Sequence, residues 1–209
     1  MLKVYFDTEF TGLFQGAELI SIGLVDEYGN NFYAELNDFD KDSVGEWVKE
    51  NVISKLIQNK YNGFRYSDDP RYMRLYNANK LNVAKALETY FKYILKDSDE
   101  DYIQLVSDIC YYDMVLFQGI FGGAFNVPKY VSPVCHDINT DLAQYLDIHE
   151  KDAFDFSRIK CCKDLREMAL LRVPEDVVYD PNAQHNALLD ARIIKGIAEA
   201  LECFKHLDK

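Results

Sequence analysis

Leu2-Lys3-Val4-Tyr5-Phe6-Asp7-Thr8-Glu9-Phe10 is the stretch on which the reading of the fold turns. Leu2, Val4 and Phe6 alternate with Lys3, Tyr5 and Asp7, the period of a β-strand over residues 2–6. Side chains two apart on a strand share a face, so Asp7 and Glu9, at its C-terminal end, point the same way. Working outward, residues 18–25 form a second apolar run. Tyr28-Gly29-Asn30-Asn31 then supplies turn residues before a third run at 32–36, which predicts a hairpin between strands two and three. Asp42-Ser43 predicts the start of a helix over 44–57, with Val44, Trp47, Val48, Val52 and Leu56 at helical spacing, and a second helix is expected over 82–95. A buried strand at 102–106, a helix at 114–121 and a long amphipathic helix at 187–204 follow. Three strands and then alternating helices and strands predict an α/β fold on a mixed sheet.

The chain has 209 residues, 48% of them hydrophobic, enough to bury one sizeable core, and no repeat or Pro/Ser-rich linker divides it. A single domain, 1–209, is expected. Its compositional exception is 60–80, locally basic and crowded with Tyr and Phe, which reads as a functional loop or irregular insertion. Five cysteines with no Cys-x-x-Cys pair suggest neither a disulfide framework nor a zinc site, and neither a signal peptide nor a membrane-length apolar run is evident. A cytoplasmic protein is expected, with no membrane partner. The net charge of −12 argues against a basic, non-catalytic nucleic-acid clamp. It argues less against a carboxylate site that accepts a phosphodiester after divalent cations neutralise it.

Three acidic motifs carry the chemistry. Two carboxylates held on one strand face repel unless a cation lies between them, and hard carboxylate oxygens suit Mg²⁺ or Mn²⁺. On its own, an Asp-x-Glu is more often a solvated strand end. His185-Asn186-Ala187-Leu188-Leu189-Asp190 opens the last helix. Five residues apart on a continuous helix would diverge by about 140°, so Asp190 is expected on the first turn and His185 just ahead of it. Histidine can take a proton from water near neutral pH, although a lone histidine before a helix is usually structural. Tyr112-Asp113-Met114 places a further acid at the start of the 114–121 helix. Asp108 is an alternative to Asp113, either as a ligand in the same cleft or as a supporting hydrogen-bond partner. His136-Asp137 is a less apt pair, because adjacent residues rarely face one site.

Asp7-Thr-Glu with Thr11-Gly-Leu13 following, an aromatic-Asp pair opening a helix, and His185 with Asp190, in that order, resemble the three motifs of the DEDDh 3′-5′ exonucleases. That family includes RNase T, oligoribonuclease and proofreading exonucleases. Glu18-Leu-Ile-Ser-Ile-Gly23, the segment from Glu46 to Val52 and His185 through Arg192 are similar to RNase AS-like exoribonucleases. The resemblance implies a ribonuclease H-like fold with a five-stranded mixed sheet flanked by helices. It also implies two divalent cations, Mg²⁺ or Mn²⁺, about 3.5–4 Å apart. Asp7, Glu9, Asp113 and Asp190 would hold the metals and His185 would be the general base. The reaction implied is 3′-5′ removal of nucleoside 5′-monophosphates from single-stranded nucleic acid, with RNA favoured. Phe10, Thr11 and Leu13 are then expected to contact the terminal nucleotide, core packing being the competing role for Phe10 and Leu13. Arg71 and Arg74, with Arg65, Tyr66, Tyr72 and Tyr76, are expected to bind the strand or form a contact between copies, and a homodimer is possible. The alternatives are a DNA-directed or proofreading-type subunit that needs a partner, and a non-catalytic binding module on the same fold.

Overall fold

The computed structural model describes residues 1–60, 63–67, 69–156 and 185–207. Its centre is a seven-stranded mixed sheet. The first three strands, β1 (Leu2–Phe10), β2 (Leu19–Asp26) and β3 (Asn31–Leu36), are antiparallel, as the alternation and the turn residues predict. The turn is closed by Asp26, whose carboxylate accepts from the backbone N–H of Tyr28 and of Asn30. Helix α1 (Glu46–Asn51) is followed by two 3₁₀ turns, Ile53–Lys55 and Ile57–Lys60. Strands β4 (Arg65–Ser67) and β5 (Tyr72–Ala78) come next, then α2 (Lys80–Ser98), β6 (Ile103–Ser107) and α3 (Cys110–Ile120). The described elements end with β7 (His136–Asp137), α4 (Ile138–Leu146), α5 (Glu150–Phe156) and α6 (Ala187–Leu207).

Strand order across the sheet is β4-β5-β3-β2-β1-β6-β7, with β6 parallel to β1 and β5 parallel to β3. Two expectations are corrected here. The sheet has seven strands instead of five because the 60–80 stretch contributes the pair β4–β5 at one edge. The described residues of that stretch, read as a functional loop or irregular insertion, thus include two strands. Met73 and Leu75 are buried while Tyr72, Arg74 and Tyr76 between them are not, a strand alternation masked by the density of aromatic and basic residues. The helix expected over 44–57 is only six residues of α-helix. Gly45 caps it, and Val52 starts the 3₁₀ turn that carries the chain toward β4.

Each face of the sheet has its own core. Val4 and Phe6 of β1, with Phe32 of β3, pack against Tyr90 and Phe91 of α2 and Phe117 of α3. On the opposite face, Tyr5, Val25 and Val106 pack against Ile138 and Leu142 of α4 and Ile194 and Ile197 of α6. Asp7 and Glu9 have the parity of Tyr5, so they lie on the α6 face, at the C-terminal end of a central strand. Among the described residues no helix is long and apolar enough to cross a membrane, and Cys110, Cys135 and Cys203 are free thiols; Cys161 and Cys162 lie outside the described residues.

Candidate active site

Helix α6 delivers the third acid to this face. Asn186 caps the helix, its Oδ1 accepting from Leu189 N–H at 3.1 Å and its backbone carbonyl from Asp190 N–H. Asp190 thereby sits in the first turn. The helix can approach because β2 has Gly23 at the crossing: a Cβ there would lie 2.3 Å from both the nitrogen and Cα of Leu188. Gly23 is also the cross-strand neighbour of Asp7, so the closest approach of α6 falls beside the first acid. One carboxylate oxygen each from Asp7, Glu9 and Asp190 lie within 4.8 Å of one another, a spacing that one divalent ion can bridge.

The electrostatics are unfavourable without a cation. Burial raises the Asp7 carboxyl well above its ordinary range, and the charges of Asp113, Asp190 and Glu9 add to it. Burial, then Asp190 and Asp113, push Glu9 up to about 8, while the charge of Lys55 works the other way. Asp7 Oδ2 is buried with no hydrogen-bond partner among the described residues, which a polar atom in this setting ordinarily does not tolerate. An orphaned carboxylate oxygen among three converging acids fits a hard divalent cation.

Asp113 reaches the same acids from the other side of the sheet. Its Oδ1 accepts from the backbone N–H of Thr8 at 3.0 Å and from the Thr8 hydroxyl, and its Oδ2 accepts from Ser107 Oγ at 3.1 Å. Burial lifts its pKa to about 6 despite these donors. It stands outside the three-acid cluster, yet it is the largest charge acting on Asp7. Asp108 accepts a hydrogen bond from Asn139 at the start of α4, and its charge also raises Asp7 and Asp113. His136 pairs with Asp141 and Asp137 caps α4, so that pair is structural.

His185 stands immediately before the Asn186 cap, its Nδ1 3.8 Å from Glu9 Oε1. Its backbone is left-handed (φ 68), as is that of Ile109 (φ 53) at the turn from β6 into α3. Such conformations cost about 1–3 kcal/mol in non-glycine residues and concentrate at functional sites. Two aromatic pairs flank the acids. Trp47, 58% exposed, meets His185 edge-on with ring centroids 4.9 Å apart, and Phe10 stacks on Tyr112 at 6.0 Å. The stripe predicted for residues 44–57 included Trp47 by its helical spacing. Val44, Val48, Val52 and Leu56 alone fill that face, a spacing of four that leaves Trp47 outside it.

The remaining expected contact residues diverge. Leu13 is 72% exposed on the loop after β1, which excludes core packing for it. Thr11 is buried, its hydroxyl accepting from Glu18 N–H, so it closes that loop. Arg71 pairs with Asp69, and Arg74 donates to Asn31 and to the Met73 carbonyl. Arg74 lies level with Asp7 but three strands away, about 14 Å at ordinary strand spacing.

Comparison with known proteins identifies the family and the fold. The family described as 3′-5′ exoribonuclease Rv2179c-like domain matches residues 2–201. Two curated Mycobacterium tuberculosis proteins, 3′-5′ exoribonuclease Rv2179c (strain ATCC 25618 / H37Rv) and 3′-5′ exoribonuclease MT2234.1 (strain CDC 1551 / Oshkosh), are each 42% identical over 55 residues. The matched segment is 26% of this chain and spans about a third of the length of those relatives, 33%. Among solved structures, the nuclease domain of 3′hExo, a DEDDh family member bound to rAMP, superposes with a TM-score of 0.58 at 15% identity, covering 98% of this chain and 92% of that one. A 3′-exonuclease described in 3′-end specific recognition of histone mRNA stem-loop gives 0.54 at 15% identity, covering 97% and 64%. At that identity the two structures establish a shared fold, a helix-flanked mixed sheet of the DEDDh nuclease domains.

Proposed function

The chain belongs to the family of Rv2179c-like 3′-5′ exoribonuclease domains, and from that premise we propose that it is a metal-dependent 3′-5′ exonuclease of single-stranded nucleic acid, RNA favoured, releasing nucleoside 5′-monophosphates. The observation that carries the reading is the convergence of Asp7, Glu9 and Asp190 around a buried Asp7 oxygen that has no hydrogen-bond partner among the described residues. A module kept only for binding has no need of so much buried like charge. The preference for RNA rests on the names of the Mycobacterium tuberculosis relatives and on the rAMP bound to 3′hExo.

Asp7, Glu9 and Asp190 would hold one divalent cation, Mg²⁺ or Mn²⁺, and Asp7 a second, with Asp113, whose oxygens rest on Thr8 and Ser107, reaching it through water. Bound there, the two ions would activate the attacking water and stabilise the leaving 3′-oxygen. His185, beside Glu9, is in reach of the acid cluster and accepts the proton of the water as the phosphodiester is attacked. Exposed Leu13 and Trp47, with Phe10 stacked on Tyr112, would offer apolar surface to the terminal base and sugar, and exposed Arg71 would offer a more distant phosphate contact. The test follows 5′-labelled single-stranded RNA and its DNA counterpart with Mg²⁺ or Mn²⁺. A descending ladder lost in Asp7→Ala and in EDTA is expected, faster on RNA. No cleavage of either strand by folded protein would overturn the reading.

A further inference from the structure

Buried polar groups on β3 lie level with the catalytic acids. Across the sheet, Asp7 neighbours Gly23 and Gly23 neighbours Tyr33; one step along, Glu9 neighbours Ser21 and Ser21 neighbours Glu35. Tyr33 and Glu35 are therefore on the α6 face, two strands and about 10 Å from the acids. Both are almost fully buried, Glu35 at 0% and Tyr33 at 2% exposure, and neither is placed to hold a metal. A buried carboxylate outside the cluster is costly, and burial raises its pKa, so its partners indicate what it is kept for.

Glu35 is held by three donors. Tyr33 Oη donates to Oε1 at 2.7 Å, Ile57 N–H to Oε1 at 2.8 Å and Gln58 N–H to Oε2 at 2.6 Å. Gln58 in turn donates to the Leu36 carbonyl and accepts from Asn77 N–H on β5. The carboxylate thus pins the start of the 3₁₀ turn Ile57–Lys60, the end of the segment that begins with α1 and carries Trp47. In the other direction, Tyr33 accepts from Asn186 Nδ2 at a long 3.4 Å. Asn186 is the residue after His185 and the cap of α6. Ala187 and Leu188 pack on the Tyr33 ring, with Ile57 and Tyr76 beside them.

Both partners of the Trp47–His185 contact therefore trace back to one pair on β3, His185 through Asn186 and Tyr33, Trp47 through the 57–58 turn and Glu35. We propose that Tyr33 and Glu35 are positioning residues for this reaction, acting through Asn186 and the 3₁₀ turn to set where His185 and Trp47 stand over the acid cluster. The role rests on His185 serving as the general base. It predicts a loss in the chemical step with metal binding intact, since neither residue is a ligand.

The protein contains a single tryptophan, so its fluorescence reports Trp47 directly and independently of activity. The experiment compares the wild type, His185→Ala, Tyr33→Phe and Glu35→Gln in single-turnover cleavage of 5′-labelled RNA, in Mn²⁺ affinity and in Trp47 emission. Tyr33→Phe keeps the ring and removes only the hydroxyl; Glu35→Gln replaces an acceptor with a donor facing N–H groups. Expected are a fall of about 10-fold in the cleavage rate for Tyr33→Phe, the scale of lost supporting hydrogen bonds. KM and Mn²⁺ affinity should be unchanged within about 2-fold, and Trp47 emission should move toward that of His185→Ala. If Tyr33→Phe does not fold, Asn186→Ser carries the same test, because it keeps an oxygen to cap α6 and removes only the amide donor. Wild-type rate and emission in folded Tyr33→Phe, with a large loss in His185→Ala, would overturn the positioning role alone. No loss in His185→Ala would instead overturn the base on which it rests.

Discussion

Replacing Gly23 with alanine would test how closely the geometry of the site depends on one strand-helix contact. The added methyl would sit 2.3 Å from the nitrogen and Cα of Leu188 and 2.4 Å from the Ala187 carbonyl carbon, where ordinary contact begins near 3.4 Å. Relief needs a separation of about 1.1 Å, the difference of those two distances. β2 is hydrogen-bonded to β1 on one side and β3 on the other, so the N-terminus of α6 must give way. Asp190 lies two residues beyond Leu188 and His185 three before it, so both shift relative to Asp7 and Glu9. A displacement of about 1 Å at a reacting centre costs about 100-fold in rate, or about 2.7 kcal/mol of transition-state stabilisation. Overpacking itself costs about 1–3 kcal/mol, or roughly 2–12 °C in Tm for a chain of this size. The assay is kcat/KM on 5′-labelled single-stranded RNA with saturating Mn²⁺, beside thermal melting. Gly119→Ala is the control, since its methyl meets nothing within 4 Å and lies in α3, where alanine gains about 1 kcal/mol over glycine. A folded Gly23→Ala protein within about 3-fold of wild-type kcat/KM would refute the reasoning.

Other outcomes follow from the same geometry. The folded-state pKa values of Asp7 and Glu9 are raised, so they contribute stability that is full below about pH 4 and lost as pH rises toward 8. Metal-free protein should therefore melt at progressively lower temperature between about pH 5 and 8. Added Mn²⁺ should remove most of that slope, and a flat metal-free profile would count against the crowded acids. Asp7→Asn should abolish cleavage yet raise the Tm of the metal-free protein by relieving the repulsion. Asp113→Ala should lower Tm, because it strands the buried Thr8 N–H and hydroxyl and Ser107 Oγ at about 1–3 kcal/mol for each donor left unpaired; calorimetry should find opposite signs for the two variants. Arg71→Ala should leave Tm within about 2 °C and reduce the slope of log K against log salt for single-stranded RNA by about 0.7, the value for one lost phosphate contact. An unchanged slope would remove Arg71 from the binding surface.

Much that depends on local chain geometry was legible in the sequence, although the short α1 and the alternation of β5 were not. Alternation along residues 2–6 put Asp7 and Glu9 on one face, because a strand repeats every two residues regardless of what surrounds it. The turn at 28–31 joined β2 to β3, and the separation of His185 from Asp190 placed one before the helix and the other on its first turn. What required the tertiary structure were relations between segments distant in the chain. Nothing near Gly23 announces that Leu188 will rest on it, 165 residues on, and so its role as the contact that seats Asp190 beside Asp7 is invisible in sequence. Trp47 has the composition of a core residue, and only the turn at Val52 and the position of His185 turn it into a wall of the site. Asp113 is read from its motif, but that its oxygens are taken by Thr8 and Ser107 depends on α3 lying against the face of β1 opposite to Asp7. Periodicity is a property of one segment, and it can orient a carboxylate; convergence is a property of several, and only packing brings them to one point.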